Sequence, residues 1–326
     1  ATPIPADRSN YGTFTQLEDQ AKAAVRTVVE SAAAAGAAPG TDQQKIGDFY
    51  ASFLDSARID VLGVQPLQED FAGIAGIRTA RDVYLWIGRL QRRGVAHPVQ
   101  LYIGQDSKDS SVYLTGVYQS GLTMPDRDYY LKPDARSARA RVEFEAYVQK
   151  LLALAGDRDA ASGAKRIAAL ESRLANHHWS RVDNRDPVRT YNRVDLAAAA
   201  KLAPGFDWQA LLEGAGLDGR ATVLDINQPS YVRELARLIR MMPVADWRLY
   251  LKFRVLDAYA PYLAADFERA HFEFHERSIS GVEQPKPRWQ RAVQTMDGAV
   301  GELVGKLYVE ATFPPESKAR MVALVE

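Results

Sequence analysis

Two histidines near residue 273 have a spacing that could bind a metal ion. His271 and His275 are four residues apart, so on a helix both imidazoles would lie on one face and could reach one zinc ion. A His-Glu-x-x-His peptidase also needs a glutamate directly after the first histidine, where it polarises the metal-bound water. Phe272 holds that position, and Glu273 lies about 100° further round the helix. We therefore predict structural histidines or an incidental metal-binding pair, and no catalytic zinc.

The other reactive residue types predict no active site either. The chain has no cysteine and no Gly-x-Ser-x-Gly segment, which excludes a thiolate nucleophile and the nucleophile elbow of serine hydrolases. His177 and His178 are adjacent, so their rings point to different faces of a helix. His97 precedes Pro98 at the start of a predicted strand. We interpret these three histidines as structural, and we predict no catalytic residue and no metal ligand in the chain.

Composition excludes further classes of function. The 326 residues are 47% hydrophobic and 25% charged, as in ordinary globular proteins. The chain has 41 Lys+Arg and 41 Asp+Glu, so no net charge attracts nucleic acid. No apolar run approaches the ~18 residues of a membrane span. The chain starts without methionine and stops at Glu326 in an apolar helical pattern, so we expect it to be part of a longer polypeptide.

The apolar residues recur mainly with the helical period. This pattern predicts a mainly α fold, in one body, with helices over 134–155 and 159–178 and a long helix over about 244–275. Capping-box spacing at Thr15–Glu18 and again at Thr41–Gln44 predicts two helix starts. The β-rich runs 97–104 and 111–118 predict a hairpin over residues 97–118, and 221–226 is a possible third strand.

Five blocks, in the same order along the chain, resemble the N-terminal half of the neprilysin-type zinc metallopeptidases. That family includes the endothelin-converting enzymes and the bacterial oligopeptidase O. The blocks are PIPADRSNYGTF (3–14), QKIGDFYASFLD (44–55), LYIGQD with GLTMPDRDYY (101–106 and 121–130), RDPVRTYN (185–192), and RWQRAV with the glycine-rich run that follows it to Phe313.

The resemblance implies a two-domain, gluzincin-type peptidase of which residues 1–326 are the N-terminal, lid-bearing half. In such enzymes a large helical domain encloses the substrate chamber, and zinc is held by the catalytic domain. We expect residues 1–14 to contact that domain and zinc to be present in the full-length enzyme but not bound by this segment. The expected partners are peptide substrates and the C-terminal catalytic half, in the same polypeptide or as a separate chain. We expect no nucleic acid and no membrane span in the segment.

The resemblance also bears on the substrate. Family members that trim short peptides carry arginines beside the Tyr-Gly-x-Phe segment, and these hold the free carboxylate of the peptide. This chain has Asn10 and Glu18 at the matching places, and Arg8 is near but wrongly spaced. We therefore expect endopeptidase activity with weak dependence on a free C-terminus. Phe14 matches an aromatic residue on the substrate side of the family, although packing in the core is an equal alternative.

Two functions remain open from the sequence. The first is the N-terminal portion of a zinc metallo-endopeptidase that hydrolyses small to medium peptides, with the segment itself inactive. The alternative is a non-catalytic helical module, derived from the same fold, that binds peptides or proteins. The absence of cysteine favours a bacterial periplasmic or secreted protein over an animal ectodomain.

Overall fold

The computed structural model describes residues 3–325, which are mostly helical with one small sheet. The helices are α1 (Thr13–Ala34), α2 (Asp42–Leu54), α3 (Ser56–Leu62), α4 (Gln68–Ala75), α5 (Ala80–Arg92), α6 (Asp128–Leu131), α7 (Ala135–Leu154), α8 (Ala160–His177), α9 (Leu196–Leu202), α10 (Trp208–Ala215), α11 (Pro229–Met241), α12 (Val244–Tyr259), α13 (Ala265–His271), α14 (Arg288–Thr312) and α15 (Pro315–Val325). This confirms the mainly α fold class. None of the described helices is both long and apolar enough to cross a membrane.

The contacts of the chain group it into two compact units, where the sequence suggested one body. Unit 1 consists of the residues up to Leu62 and those from His275 onward, and unit 2 is Gly63–Phe274. Unit 1 is thus built from both ends of the sequence. The composition of the intervening loops does not reveal such a division, because it depends on contacts between distant segments.

Unit 1 has its core where α1, α2 and α14 pack together. Val29, Ile46 and Met296, one from each helix, are completely buried. Gly47 lets α2 approach α1 closely, because a Cβ atom there would lie 2.8 Å from the carbonyl oxygen of Ala32. The cap predicted at Thr41 is present, since its side chain accepts a hydrogen bond from Gln44 N.

One predicted helix start in unit 1 is wrong. The capping-box spacing at Thr15–Glu18 indicated a start at Thr15, but α1 begins at Thr13 after an extended Gly12, and no side chain caps it. Glu18 bonds to Lys22 instead of turning back to the backbone. The ion pair along the helix surface therefore replaces the predicted cap.

Unit 2 contains two helices at the predicted places. Asp134 caps α7 by accepting a hydrogen bond from Ser137 N. Gly156, at φ +83°, follows α7 in the left-handed region that favours glycine. The next helix, α8, ends at His177, one residue before the predicted end.

The long helix predicted over 244–275 is interrupted. The first part, α12, ends at Tyr259 and is followed by a 3-10 turn over Ala260–Tyr262. Pro261 explains the break, because proline has no N–H to continue the helical hydrogen bonds. The helical path resumes as α13 and continues as a π-helix over Phe272–Ile279.

The sheet of unit 2 has four strands in the order β1-β2-β4-β3. The predicted hairpin is confirmed as β1 (Val99–Asp106) paired antiparallel with β2 (Asp109–Gln119). The possible third strand is present as β4 (Val223–Ile226), which runs parallel to β2. The edge strand β3 (Arg193–Asp195) has only three residues, too few to show an alternating pattern in the sequence.

Candidate functional site

The first turns of α1, in unit 1, carry large apolar side chains in an exposed position. Phe14 is 89% exposed and Leu17 is 56% exposed. The structure of unit 1 therefore does not place Phe14 in the core, which was the alternative interpretation of this residue. Asn10 lies four residues before Phe14 and is exposed as well. An exposed aromatic ring and an exposed amide side chain are both groups that can contact an extended peptide.

The positive charges beside these residues are paired with carboxylates. Arg8 donates to Asp7 Oδ1 at 3.2 Å and to both carboxylate oxygens of Asp19 at 3.1 and 3.2 Å. Its guanidinium also lies over the ring of Tyr11, 5.2 Å from the centroid. The hydrogen bond that Arg8 donates to Asp7, together with the one to Asp19, raises the pKa of Arg8 above its ordinary value. Arg8 is therefore held by residues of its own unit.

Lys22 and Glu18 form a second pair on the same helix. Their Nζ–Oε1 distance is 2.5 Å, and the hydrogen bond lowers the pKa of Glu18 below its ordinary value. Glu18 is one of the two residues that the sequence resemblance places where peptide-trimming members of the resembled family carry arginine. An ionised glutamate held by Lys22 offers no hydrogen-bond donor to a carboxylate ligand.

In unit 2, a buried group of ionic and hydroxyl side chains holds the loop that follows β2. Glu171 is fully buried and accepts hydrogen bonds from Thr123 N at 2.8 Å and from Thr123 Oγ1 at 2.7 Å. The hydroxyl of Tyr130 donates to the same carboxylate and accepts from Thr123 N and Met124 N. Burial raises the pKa of Glu171, and Arg254 opposes that shift.

Arg254 links this group to a second carboxylate. Its Nη1 atom lies 3.7 Å from Glu171 Oε1 and 3.4 Å from Asp257 Oδ2. The same guanidinium donates to Thr123 Oγ1 at 2.6 Å and, through Nε, to the carbonyl oxygen of Ala96 at 3.0 Å. The arrangement fixes the backbone of the GLTMPDRDYY segment from inside unit 2, because several donors converge on a few buried acceptors.

A polar cavity of about 310 Å³ lies against this loop. Gln119 forms part of its wall through two hydrogen bonds to the backbone of Trp179, one donated by its amide and one accepted from Trp179 N. Residues from β2, from the GLTMPDRDYY segment and from the turn after α8 line the cavity, including Tyr118, Ser120, Asp126, Arg127, Asp128, His178, Trp179 and Arg181.

The charges of this cavity are unequally paired. Asp126 Oδ2 accepts from Arg181 Nε at 2.8 Å, and Asp128 Oδ2 lies 2.8 Å from Lys132 Nζ. Arg127 has a neutral partner, since it donates to the carbonyl oxygen of His178. The sequence shows Arg127 but not that it lacks an acidic partner. Its hydrogen-bond partner comes from the turn after α8, which is distant in sequence.

The histidines of the sequence analysis lie on several elements of the fold. His271 ends α13 in unit 2, with its ring edge-on to Tyr147 at a centroid distance of 6.4 Å. His275 lies in the π-helix and belongs to unit 1. His97 is buried, which lowers its pKa to about 3, and its Nε2 atom is 3.0 Å from Gln91 Oε1.

His177 and His178 differ in burial, in agreement with the prediction that their rings point to different faces. Burial lowers the pKa of His178 to about 4, and its Nε2 atom lies 3.2 Å from the carbonyl oxygen of Ser120. His177 faces Glu234 at 3.9 Å. His178 is therefore part of the cavity wall in its neutral form.

Comparisons with known proteins agree on one family. The sequence profile of Peptidase family M13, in its N-terminal part, matches residues 1–326. Endothelin-converting enzyme-like 1 of Mus musculus is 29% identical over 338 residues, which cover 99% of this chain and 43% of that protein. Endothelin-converting enzyme 1 of Mus musculus is 26% identical, over 98% of this chain and 42% of that protein. The chain thus spans less than half the length of these relatives.

Solved structures give the same result for the fold. The zinc metalloprotease Zmp1 of Mycobacterium tuberculosis, in complex with an inhibitor, superimposes with a TM-score of 0.92 at 37% identity, over 100% of this chain and 49% of that one. PepO from Lactobacillus rhamnosis superimposes with a TM-score of 0.81 at 19% identity, over 99% of this chain and 51% of that one, which supports the fold alone.

Proposed function

The chain belongs to peptidase family M13, and on that premise we propose that it is the N-terminal part of a zinc metallo-endopeptidase that hydrolyses small to medium peptides. In this proposal the described helices enclose the substrate chamber, and the catalytic domain with its zinc lies outside residues 1–326. The observation that carries the proposal is the match over the whole chain to a protein solved as a zinc metalloprotease, at 37% identity and a TM-score of 0.92.

The residues of this chain do not fit a catalytic zinc ion of the His-Glu-x-x-His type. Phe272 stands where the glutamate is required, and it is buried, with 7% of its surface exposed. An apolar ring at that position has no oxygen to polarise a metal-bound water. We therefore derive no hydrolytic step from these residues, and in our proposal the segment alone is inactive.

We further propose that Asn10 and Phe14 contact the substrate and that the enzyme depends little on a free C-terminal carboxylate. Three features of unit 1 support the weak dependence on a free carboxylate. Asn10 carries no charge, Glu18 is a carboxylate paired with Lys22, and Arg8 is engaged by Asp7 and Asp19. A peptide that extends past this point would therefore lose little binding energy compared with one that ends there.

Paired peptides test this specificity in the full-length protein. Peptides of one sequence, with either a free or an amidated C-terminus, are compared by kcat/KM. We expect values within about threefold of each other, because the difference of one charge-assisted hydrogen bond, worth about tenfold or more, is absent. The variant Asn10→Arg should create a preference for the free acid, and Asn10→Gln is the matched neutral control. A tenfold preference for the free acid in the unaltered protein would refute the proposal.

The alternative of a non-catalytic binding module makes a different prediction. A binding module would hold peptides without cleaving them, with or without a chelator. The proposed peptidase loses cleavage when a chelator removes its zinc. Among residues 3–325 no contact favours the binding module over the peptidase, and the family membership supports the peptidase.

A further inference from the structure

The cavity beside the GLTMPDRDYY segment contains a positive charge with no acidic partner. Asp126 and Asp128 are each paired with a cation, Arg181 and Lys132 respectively. Among residues 3–325, Arg127 forms no ion pair, and its hydrogen bond goes to the neutral carbonyl oxygen of His178. A carbonyl oxygen satisfies one N–H group of the guanidinium but leaves its charge uncompensated.

The surroundings of Arg127 strengthen its attraction for an anion. The side chain is half-buried, and charges interact more strongly where protein displaces water. The neighbouring His178 responds to this charge, because Arg127 adds to burial in lowering the pKa of that ring. His178 therefore stays neutral and does not compete with Arg127 for a negatively charged ligand.

Further hydrogen-bond donors line the same space. Tyr118 and Ser120 are lining residues, and their hydroxyls form no hydrogen bond to the rest of the described chain. Trp179 adds an aromatic surface, and its indole nitrogen is satisfied by Ser230 Oγ at 2.7 Å. A cavity with a guanidinium fork, hydroxyl donors and an apolar wall is suited to a carboxylate at the end of a short aliphatic chain.

We propose that this cavity is a subsite for a peptide substrate and that Arg127 binds the carboxylate of an acidic side chain, aspartate or glutamate. The volume of about 310 Å³ accommodates one such side chain with part of its backbone. This inference rests on the proposed peptidase function for its ligand class. It gives unit 2 a preference for acidic side chains. This preference is independent of the proposed weak dependence on a free C-terminal carboxylate at the start of α1.

Blocked peptides test the subsite without hydrolysis. The full-length protein, freed of zinc by a chelator, is titrated with acetylated and amidated heptapeptides in which one glutamate occupies each position in turn. Each is compared with its glutamine counterpart by calorimetry. In at least one register the glutamate peptide should bind about tenfold tighter, as expected for a charge-assisted hydrogen bond.

Two variants should change this preference in opposite directions. Arg127→Gln removes the charge but keeps an N–H donor for the carbonyl of His178, and it should abolish the preference for glutamate. Asp126→Asn keeps the oxygen that accepts from Asp128 N at 2.7 Å. The same change releases Arg181 and removes a negative charge, so it should increase the preference. Circular dichroism at both variants checks that they are folded.

Three results would overturn the inference. One is equal binding of the glutamate and glutamine peptides in every register. Another is that Arg127→Gln weakens the binding of both peptides equally, which would make Arg127 a purely structural residue. The third is an Arg127-dependent gain for a glutamine peptide with a free C-terminus, which would assign the cavity to the terminal carboxylate. Cleavage of a neutral peptide by the zinc-loaded protein tests the peptidase function independently of all three.

Discussion

Each unit of the molecule contains an arginine held by two carboxylates, and the two arginines have different roles. Arg8 in unit 1 pairs with Asp7 and Asp19, whose side chains are 21% and 33% exposed. Arg254 in unit 2 lies between Glu171 and Asp257, whose side chains are 0% and 10% exposed. Water screens the first group, whereas the second depends on its own partners for compensation. The group around Arg8 balances charge near the surface, whereas the group around Arg254 holds the loop after β2 in place.

The largest effect is expected when the buried arginine is removed. Arg254→Met leaves Glu171 without its cation and removes one of the partners of Asp257, so it should lower the free energy of unfolding by about 3–5 kcal/mol. Arg8→Met, the matched change in unit 1, should cost about 1 kcal/mol or less. Urea unfolding of the two variants measures both values. Equal losses would remove the distinction between the two groups.

A smaller, pH-dependent effect should also belong to unit 2. The pKa values of His97 and His178 in the folded protein, about 3 and about 4, lie below the ordinary value near 6.5. The unfolded chain therefore takes up protons first as the pH falls. The contribution of these histidines to stability is complete above about pH 6.5 and is lost below it, at about 1.4 kcal/mol per pH unit for each ring.

Urea unfolding at pH 7, 6 and 5 measures this dependence. The variants His97→Gln and His178→Gln should each reduce the fall in unfolding free energy over that interval. His177→Gln is the matched control, because the ring of His177 is adjacent in sequence to His178 but is half exposed. An unchanged slope in both buried-histidine variants would contradict the assignment of acid sensitivity to these rings.

Local patterns predicted much of the fold. The helices α7 and α8 follow from apolar periodicity with Gly156 between them, and the hairpin over residues 97–118 follows from two β-rich runs. The three-residue strand β3 and the division into two units depend on contacts between distant segments. Pro261 is a signal in the sequence for the break after α12. The prediction of one long helix over about 244–275 followed the apolar pattern and did not include this signal.

The candidate site was less predictable than the fold. The motifs indicated the family. The residues at positions 10 and 18 predicted that the start of α1 lacks the arginines that would hold a free peptide carboxylate. The exposure of Phe14 and the uncompensated charge of Arg127 became visible only in three dimensions. Both depend on which neighbours are present, and for Arg127 the neighbour is the carbonyl of His178, 51 residues away.

We propose that this chain encloses a substrate chamber and that the catalytic zinc is held outside residues 1–326. The most direct measurement compares zinc content and peptide cleavage of the purified 326-residue chain with those of the full-length protein, with and without a chelator. We expect one firmly held zinc ion and chelator-sensitive cleavage in the full-length protein, and neither in the chain alone. Chelator-sensitive cleavage by the 326-residue chain, abolished by His271→Ala, would contradict the claim.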